Sequence, residues 1–257
     1  MKNEINITIN NSDEKDLKLN INIDVSDKYC NVRCERLDDG IINNTSLEEY
    51  SWKEIDDIVK KGLHTKLFKI GDTKSFKLNN ETLIAEIVDF DHDNLSDDEG
   101  KRAGISFVLK KCPNKKYPLA QMVDHFVWGI IGRQDILKEE FYTYLPEDMK
   151  EVIKPVNKET TMSGLPPYLM KTSEELWFLS EKEMFGTSNL SLDGEGYQYT
   201  LYKDINKRKD KTDVDFWLRT PYMRHTDILA FGTVKYNGQL SSNFPYAELQ
   251  ILFGFCI

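Results

Sequence analysis

The chain has 257 residues, of which 40% are hydrophobic and 30% charged, so it is long enough to bury one large core or two smaller ones. Its formal net charge of −9 argues against binding to a nucleic-acid backbone or an anionic membrane surface. The N-terminal residues lack the apolar stretch of a signal peptide, and no segment has the apolar length of a membrane span. We therefore expect a protein that is made in the cytoplasm and not secreted through a signal peptide.

Two segments with alternating apolar residues open the chain, and the polar residues 10–15 separate them. This pattern predicts a β-hairpin with one apolar face. A two-stranded ribbon is marginal in water, so that face needs a partner, either the body of the chain or a neighbouring subunit. The apolar positions of this arm are Ile5, Ile7, Ile9, Leu17, Leu19, Ile21 and Ile23.

A domain boundary is predicted after the arm, because residues 26–45 are polar and rich in turn-forming residues. They are typical of a linker or an irregular strand. The sequence thus predicts two parts, an arm with its linker at residues 1–45 and a main domain at residues 46–257.

The main domain is predicted to begin with one helix. Thr45 or Ser46 can cap it, acidic residues follow at the capping-box position, and Gly62 ends it. Alternating residues on both sides of Asn79 and Asn80 then predict a hairpin.

The middle of the chain has the main helical pattern, with apolar residues at helical spacing over residues 121–153. A strand is predicted before it, at residues 105–110. Residues 157–172 contain two consecutive prolines and are expected to be irregular.

The last third of the chain is predicted to be rich in strands, with a long polar loop at residues 187–214. The dipeptide Asn237-Gly238 predicts a hairpin turn. The predicted strands are residues 176–180, 216–221, 228–236 and 249–257, and the first of them is expected to lead into a short turn at residues 181–186. Together these patterns predict an α+β fold with a mixed or antiparallel β core and a few helices.

Few residue patterns indicate chemistry. Asp89, Asp91 and Asp93 have the spacing of the first ligands of a calcium loop and are candidate metal ligands, although the glycine and glutamate of that motif are missing. We find no nucleophile motif and no phosphate-binding loop, and we expect no catalytic residue and no cofactor. The four cysteines, Cys30, Cys34, Cys112 and Cys256, are expected to be free structural thiols.

Aromatic residues crowd the last third of the chain, and most are expected to pack in the core. Tyrosines near loops are the exception, because tyrosine provides a large contact area at low entropic cost. The candidate binding surface consists of Tyr222, Arg224, Tyr236, Asn243 and Tyr246.

Residues 50–257 resemble a family of uncharacterised domains found in phages and prophages of low-GC Gram-positive bacteria. Six blocks carry the resemblance in order, and the last of them is a closing Gly-Phe-Cys-Ile strand. The blocks are residues 51–55, 70–74 (IGDTK, similar to VGDTK), 89–93 with 103–107, 176–183 (LWFLSEKE, similar to FLLSE), 216–221 (FWLRTP, similar to WWLRSP) and 253–257.

The resemblance implies a scaffold similar to C-type-lectin-like folds, with Trp217 and Leu218 in the core and Arg219 paired with a carboxylate or carbonyls. It assigns no catalytic residues. The loops at 187–214, 222–227 and 237–246 would then be displayed.

We expect a virion structural protein, a capsid decoration or a tail or baseplate component, with adhesion to host-surface glycans as a further option. Its expected partners are other virion proteins, reached through the arm, and it is expected to form a homo-oligomer or part of a larger assembly. A separate carbohydrate-binding or adhesion module is the alternative. An enzyme similar to a formylglycine-generating oxidase is less favoured, because Cys112 and Cys256 are far apart in sequence.

Overall fold

The computed structural model describes the backbone of residues 4–9, 17–22, 33–35, 45–119, 133–162, 168–190, 192–209, 211, 214–224 and 228–257. It describes the side chains of those from residue 45 onward, apart from 223–224 and 228–229. The chain forms two compact units, Met1–Asn44 and Thr45–Ile257. Ile23, Cys30 and the predicted turn at 10–15 lie outside the described residues.

The described residues of the first unit form three antiparallel strands in the order β1-β2-β3. Their bounds are β1 Glu4–Ile9, β2 Leu17–Asn22 and β3 Arg33–Glu35. The register places Ile5 opposite Ile21 and Ile7 opposite Leu19. The predicted hairpin is therefore confirmed, and β3 forms within the segment predicted as a linker or irregular strand.

The second unit has a mixed α+β fold with mainly antiparallel sheets, as the sequence predicts. Its strands are β4 Thr73–Leu78, β5 Glu81–Phe90, β6 Ile105–Leu109, β7 Val156–Met162, β8 Tyr168–Glu174, β9 Trp177–Phe178, β10 Phe216–Arg224, β11 Ile228–Val234, β12 Leu240–Asn243, β13 Gln250–Ile251 and β14 Phe253–Cys256.

Three sheets organise this unit. The five-stranded sheet has the order β4-β5-β6-β14-β9, so the last strand of the chain lies in its interior. The four-stranded sheet has the order β12-β11-β10-β13, with β13 parallel to β10. β7 and β8 form a separate hairpin. The sequence predicts a single strand at residues 249–257, but the structure divides this segment into β13 and β14. These two strands belong to different sheets, so the segment links the two larger sheets.

Helices in the described residues are short. They are Trp52–Lys60, His64–Leu67, Glu147–Lys150 and Glu181–Phe185, with a helical segment at 133–144 that includes a π-helical turn. None of the helices in the described part of the chain is long and apolar enough to cross a membrane.

The sequence predicts one helix after Thr45, and this number is wrong, because the segment contains two helical elements. Ser46 caps a 3-10 turn, Leu47–Glu49, and Ser51 caps the helix Trp52–Lys60. Each serine has a glutamate three residues later and forms a complete capping box, so each starts its own element. Gly62 follows with a φ of 66°.

Two other predictions are corrected. Residues 157–172 are not irregular, because β7 and β8 pair antiparallel across most of this range. The alternation of β7 is hidden in the sequence, since its buried positions include Lys158 and Thr160. Residues 181–186, expected to be a turn, form a helix that Ser180 caps and Gly186 ends in the left-handed conformation.

An aromatic cluster fills the space between the first helix and the five-stranded sheet. Trp52 packs edge-on against Phe76, Phe107 and Phe255 at ring-centroid distances of 5.8–6.3 Å. Phe107 and Phe255 stack on each other at 5.1 Å, on neighbouring strands. Offset and edge-on ring pairs of this kind add to the stability that burial provides.

Gly254 is expected to tolerate no side chain. A Cβ atom at this position would lie 2.9 Å from the carbonyl oxygen of Phe107 and 2.9 Å from the indole ring of Trp177. We expect Gly254→Ala to lower the free energy of unfolding by about 1–3 kcal/mol, because the backbone of an interior strand must shift. Urea denaturation measures the loss. A loss of no more than about 0.5 kcal/mol, the scale of an ordinary surface substitution, would contradict the close packing.

Candidate functional site

Charged and hydrogen-bonding side chains meet in a buried cluster around Lys158. The Lys158 ammonium donates to Asp93 Oδ1 at 2.5 Å, to Glu183 Oε1 at 2.9 Å and to the Tyr199 hydroxyl at 2.8 Å. It also lies 3.9 Å from the ring centroid of Trp177. β7 positions Lys158 toward the interior, where the alternation of the strand would otherwise place an apolar residue.

Asp93 accepts further hydrogen bonds. The Ser106 hydroxyl donates to its Oδ2 at 2.7 Å, and the Tyr199 hydroxyl lies 2.9 Å from the same atom. Burial alone would raise the pKa of Asp93, but the positive charges of Lys158 and His92 hold that pKa well below its ordinary value. Asp93 is therefore an ionised acceptor inside the fold.

Glu183 and Arg219 form the other half of the cluster. The Arg219 guanidinium binds both carboxylate oxygens of Glu183, at 2.5 and 2.9 Å. It also donates to the carbonyl oxygens of Phe178 and Glu195 at 2.8 and 3.0 Å. Burial opposes ionisation of Glu183, but Arg219 and Lys158 lower its pKa. The expected pairing of Arg219 with a carboxylate and carbonyls is confirmed, and Trp217 and Leu218 are buried as expected.

The predicted polar loop at 187–214 packs into the fold instead of being fully displayed. Tyr199, Tyr202 and Glu195 are buried. The Glu195 carboxylate accepts from the Thr161 amide at 2.5 Å and from the Thr220 hydroxyl at 2.6 Å. The loop packs inward because its polar side chains form hydrogen bonds with polar groups inside the fold.

The four charges of Lys158, Arg219, Asp93 and Glu183 balance, and each side chain is buried with more than one partner. Each of these charged groups is already paired with another member of the cluster. We therefore interpret it as a structural network that holds β7, β10 and the helix Glu181–Phe185 in fixed positions.

Two of the thiols lie among the described side chains. Within the described residues, neither Cys112 nor Cys256 forms a disulfide. Burial, followed by the negative charge of Asp93, raises the pKa of Cys256 well above its ordinary value, so it remains a thiol. Cys256 faces Ser106 and Asp93 in the interior.

The three candidate metal ligands point to different partners. Asp89 accepts from His92 Nδ1 at 3.0 Å and from the Thr200 amide at 2.9 Å. Asp91 lies 3.3 Å from the His64 ring, and Asp93 belongs to the buried cluster. Within the described residues, no group of three or more His, Cys, Asp or Glu side chains is arranged to hold a metal ion.

The candidate binding residues all lie on the four-stranded sheet or its loops, but at different ends. Tyr222 and Asn243 are half-buried and flank the same part of β11, since Tyr222 pairs with Ala230 and Asn243 with Phe231. Tyr246 is 53% exposed and stacks on Phe244 at 5.4 Å just after β12. The side chain of Arg224 lies outside the described residues.

Tyr236 is separated from these residues. It lies beyond the far end of β11, and at about 3.3 Å per residue the strand Ile228–Val234 spans roughly 20 Å from the end where Arg224 pairs with Ile228. Tyr236 is 63% exposed, and its turn packs against Arg208 and Lys209 through Gly238. The structure thus divides the predicted residues between two surfaces, one around Tyr246 and one around Tyr236.

Comparison with known proteins identifies one match. Residues 134–251 match a family model described as Domain of unknown function (DUF6273). No curated protein and no solved structure matches the chain significantly. The match agrees with an uncharacterised domain family in this part of the chain.

Proposed function

We propose that the chain is a non-catalytic structural component of a bacteriophage particle that presents binding surfaces on a rigid domain. The observation that carries this proposal is the contrast between a balanced, fully buried charge cluster and exposed tyrosines on the adjoining loops. Loops on a rigid scaffold are favourable positions for recognition. Capsid decoration and a tail or baseplate position both suit such a protein, and the family resemblance favours the particle.

Two features support recognition through the loops. Tyr236 and Tyr246 are both more than half exposed, although such large side chains usually bury most of their surface. Their flanking segments include Ser241, Ser242 and Asn243, which supply adaptable hydrogen-bonding groups. Partner proteins or host-surface glycans are ligands of suitable chemistry for these surfaces.

The N-terminal unit supports attachment to a neighbouring subunit. β1 lies at the edge of the three-stranded sheet, and among the described strands it pairs only with β2. An edge strand offers unpaired backbone groups to which another chain can add a strand. Ile5, Ile7 and Ile9 provide apolar side chains at alternate positions of this edge strand. In an assembly of identical subunits, the same edge would also give a homo-oligomer.

Particle association is expected to depend on the alternate isoleucines of β1. The triple variant Ile5→Asp, Ile7→Asp, Ile9→Asp should reduce the chain that co-sediments with particles at least roughly tenfold, because each apolar side chain buried contributes about 1.5–3 kcal/mol. The variant Asn6→Asp, Thr8→Asp, on the intervening positions of the same strand, is the matched control and should co-sediment normally.

Quantitative sedimentation of lysates on a density gradient measures both variants. Wild-type chain that stays in the soluble fraction while particles lack it would overturn the proposal. Equal losses in the two variants would instead contradict the role of the apolar positions.

A separate carbohydrate-binding or adhesion module is the second candidate, and the exposed tyrosines favour it. A glycan array separates the two, since a purely structural protein should give no signal. An oxidase is less supported, because Cys256 is a buried thiol whose pKa is raised by burial.

A further inference from the structure

A cleft of about 460 Å³ opens at the tip of the β4–β5 hairpin, and its lining includes no residue of the charge cluster. Its walls are the hairpin turn at Asn79 and Asn80, residues 113–115 with Tyr117, and Glu140 with Phe141. A volume of this size falls in the range of small-molecule sites. The three walls come from distant parts of the sequence, so only the fold brings them together.

Paired polar groups fix the positions of the hydrogen-bonding atoms in the cleft. Glu140 Oε2 accepts from Lys115 Nζ at 2.6 Å and from the Tyr117 hydroxyl at 3.1 Å. Asn114 Nδ2 donates to Glu81 Oε1 at 3.2 Å on the opposite wall. Both carboxylates are thus oriented by neighbours before any ligand binds, which reduces the entropic cost of binding.

The protonation states of the paired groups suit hydrogen bonding. Burial, followed by the hydrogen bond and the charge of Glu140, raises the pKa of Tyr117 to about 12, so the phenol keeps its proton. The hydrogen bond from Lys115 lowers the pKa of Glu140, so it stays a carboxylate. An ionised, ion-paired Glu140 is a hydrogen-bond acceptor and a poor proton donor, which favours binding over acid catalysis.

The composition of the walls selects the kind of ligand. Two carboxylates and one ammonium leave a surplus of negative charge, which disfavours an anionic ligand. The asparagine amides each offer donors and an acceptor, and so match hydroxyl groups, which also donate and accept. Leu78, Pro113 and Phe141 add apolar surface suited to the C–H faces of a ring.

From this geometry we propose that the cleft binds a neutral polyhydroxylated ligand, a sugar residue of an uncharged glycan. The Glu140 carboxylate and the Asn114 amide bind hydroxyl groups, and the apolar wall contacts the ring. This site is additional to the surfaces around Tyr236 and Tyr246, and it does not require that the chain be part of a particle.

Isothermal titration of the full-length chain tests the site. The probes are neutral oligosaccharides that end in glucose, galactose or N-acetylglucosamine, and phosphorylated and sialylated sugars serve as anionic comparisons. We expect saturable binding of at least one neutral probe and none of the anionic ones. Glu140→Gln and Asn114→Ala should each weaken that binding about tenfold or more, because the first replaces a charged acceptor by a neutral amide and the second removes the side-chain amide.

Glu147→Gln is the matched control, since Glu147 is also an exposed carboxylate paired with a lysine, at 2.8 Å from Lys150, but lies outside the cleft. It should bind like the wild type, and circular dichroism should give all three variants the same folded spectrum. The proposal is overturned if no neutral probe binds up to about 10 mM, if anionic sugars bind in preference, or if both cleft variants bind normally. None of these results changes the expected sedimentation with particles, so the two proposals fail separately.

Discussion

Replacing Arg219 by methionine is expected to lower the free energy of unfolding by about 3–5 kcal/mol. Methionine fills much of the same space, but it leaves the buried Glu183 carboxylate without the two hydrogen bonds that the guanidinium donates. The carbonyl oxygens of Phe178 and Glu195 lose a donor as well. Unpaired polar groups in the interior cost more than the net gain of an ordinary hydrogen bond.

The same substitution at Arg102 is the control. Arg102 is exposed and donates to the Asp91 carbonyl oxygen at 3.0 Å, so Arg102→Met should cost no more than about 0.5 kcal/mol. Urea denaturation followed by circular dichroism gives both values. Similar small costs for the two variants would mean that the buried cluster does not hold the fold together.

A double variant tests whether charge balance is the cause. Arg219→Met leaves the four-charge cluster with a surplus of one negative charge, and adding Glu183→Gln restores balance. Because glutamine keeps an acceptor for the Ser180 amide, the helix cap is retained. We therefore expect the double variant to be more stable than Arg219→Met alone. A further loss of stability would attribute the effect to packing instead of charge.

The sequence predicts the strands in which apolar residues recur at alternate positions. The hairpins around Asn79-Asn80 and Asn237-Gly238 and the N-terminal arm follow from alternation of apolar residues beside turn-forming ones, and the structure contains the strands of all three. The α+β class follows from the same signals. Local patterns suffice here because each strand has one face that must be buried.

The sequence pattern does not predict β7, because β7 lacks this alternation of apolar residues. Its inward positions include Lys158 and Thr160, so the usual signal of a buried strand is absent. The burial of Lys158 depends on its pairing with Asp93, which is 65 residues away in sequence. A single sequence does not reveal such a pair, because lysine and aspartate are more often exposed.

The candidate sites also differ in whether the sequence alone predicts them. Exposed tyrosines at turns could be predicted, since Tyr236 lies next to a strong turn dipeptide. The cleft could not, because Glu81, Asn114 and Glu140 come from three separate segments that sheet pairing and packing bring together. Each of these residues alone has the sequence features of a solvated surface position.

Lys158→Met is expected to reverse the pH dependence of stability as well as to cost about 3–5 kcal/mol at pH 7. In the wild type, burial would raise the pKa of Asp93, but Lys158 holds it below the unfolded value of about 4. That contribution is fully present above the unfolded pKa and is lost as the pH falls through the folded pKa. Wild-type stability should therefore fall on acidification below about pH 5.

Without Lys158, burial is expected to dominate and to raise the pKa of Asp93 above its unfolded value. Folding then favours the protonated acid, so the penalty in the variant shrinks as the pH falls from 7 toward 5. Over that range the stability of Lys158→Met should rise while that of the wild type stays level. Lys101→Met, which breaks an exposed pair with Asp98, should follow the wild type at every pH.

Urea denaturation at a series of pH values measures these slopes, and the variant Lys158→Met, Asp93→Asn assigns them to a residue. The double variant has no carboxylate at position 93 and restores the charge balance of the cluster, so the rise between pH 7 and 5 should disappear. A rise that persists in the double variant would place the titrating group elsewhere, with Glu183 as the nearest buried carboxylate. Parallel curves for Lys158→Met and the wild type would show that Lys158 does not control the ionisation of Asp93.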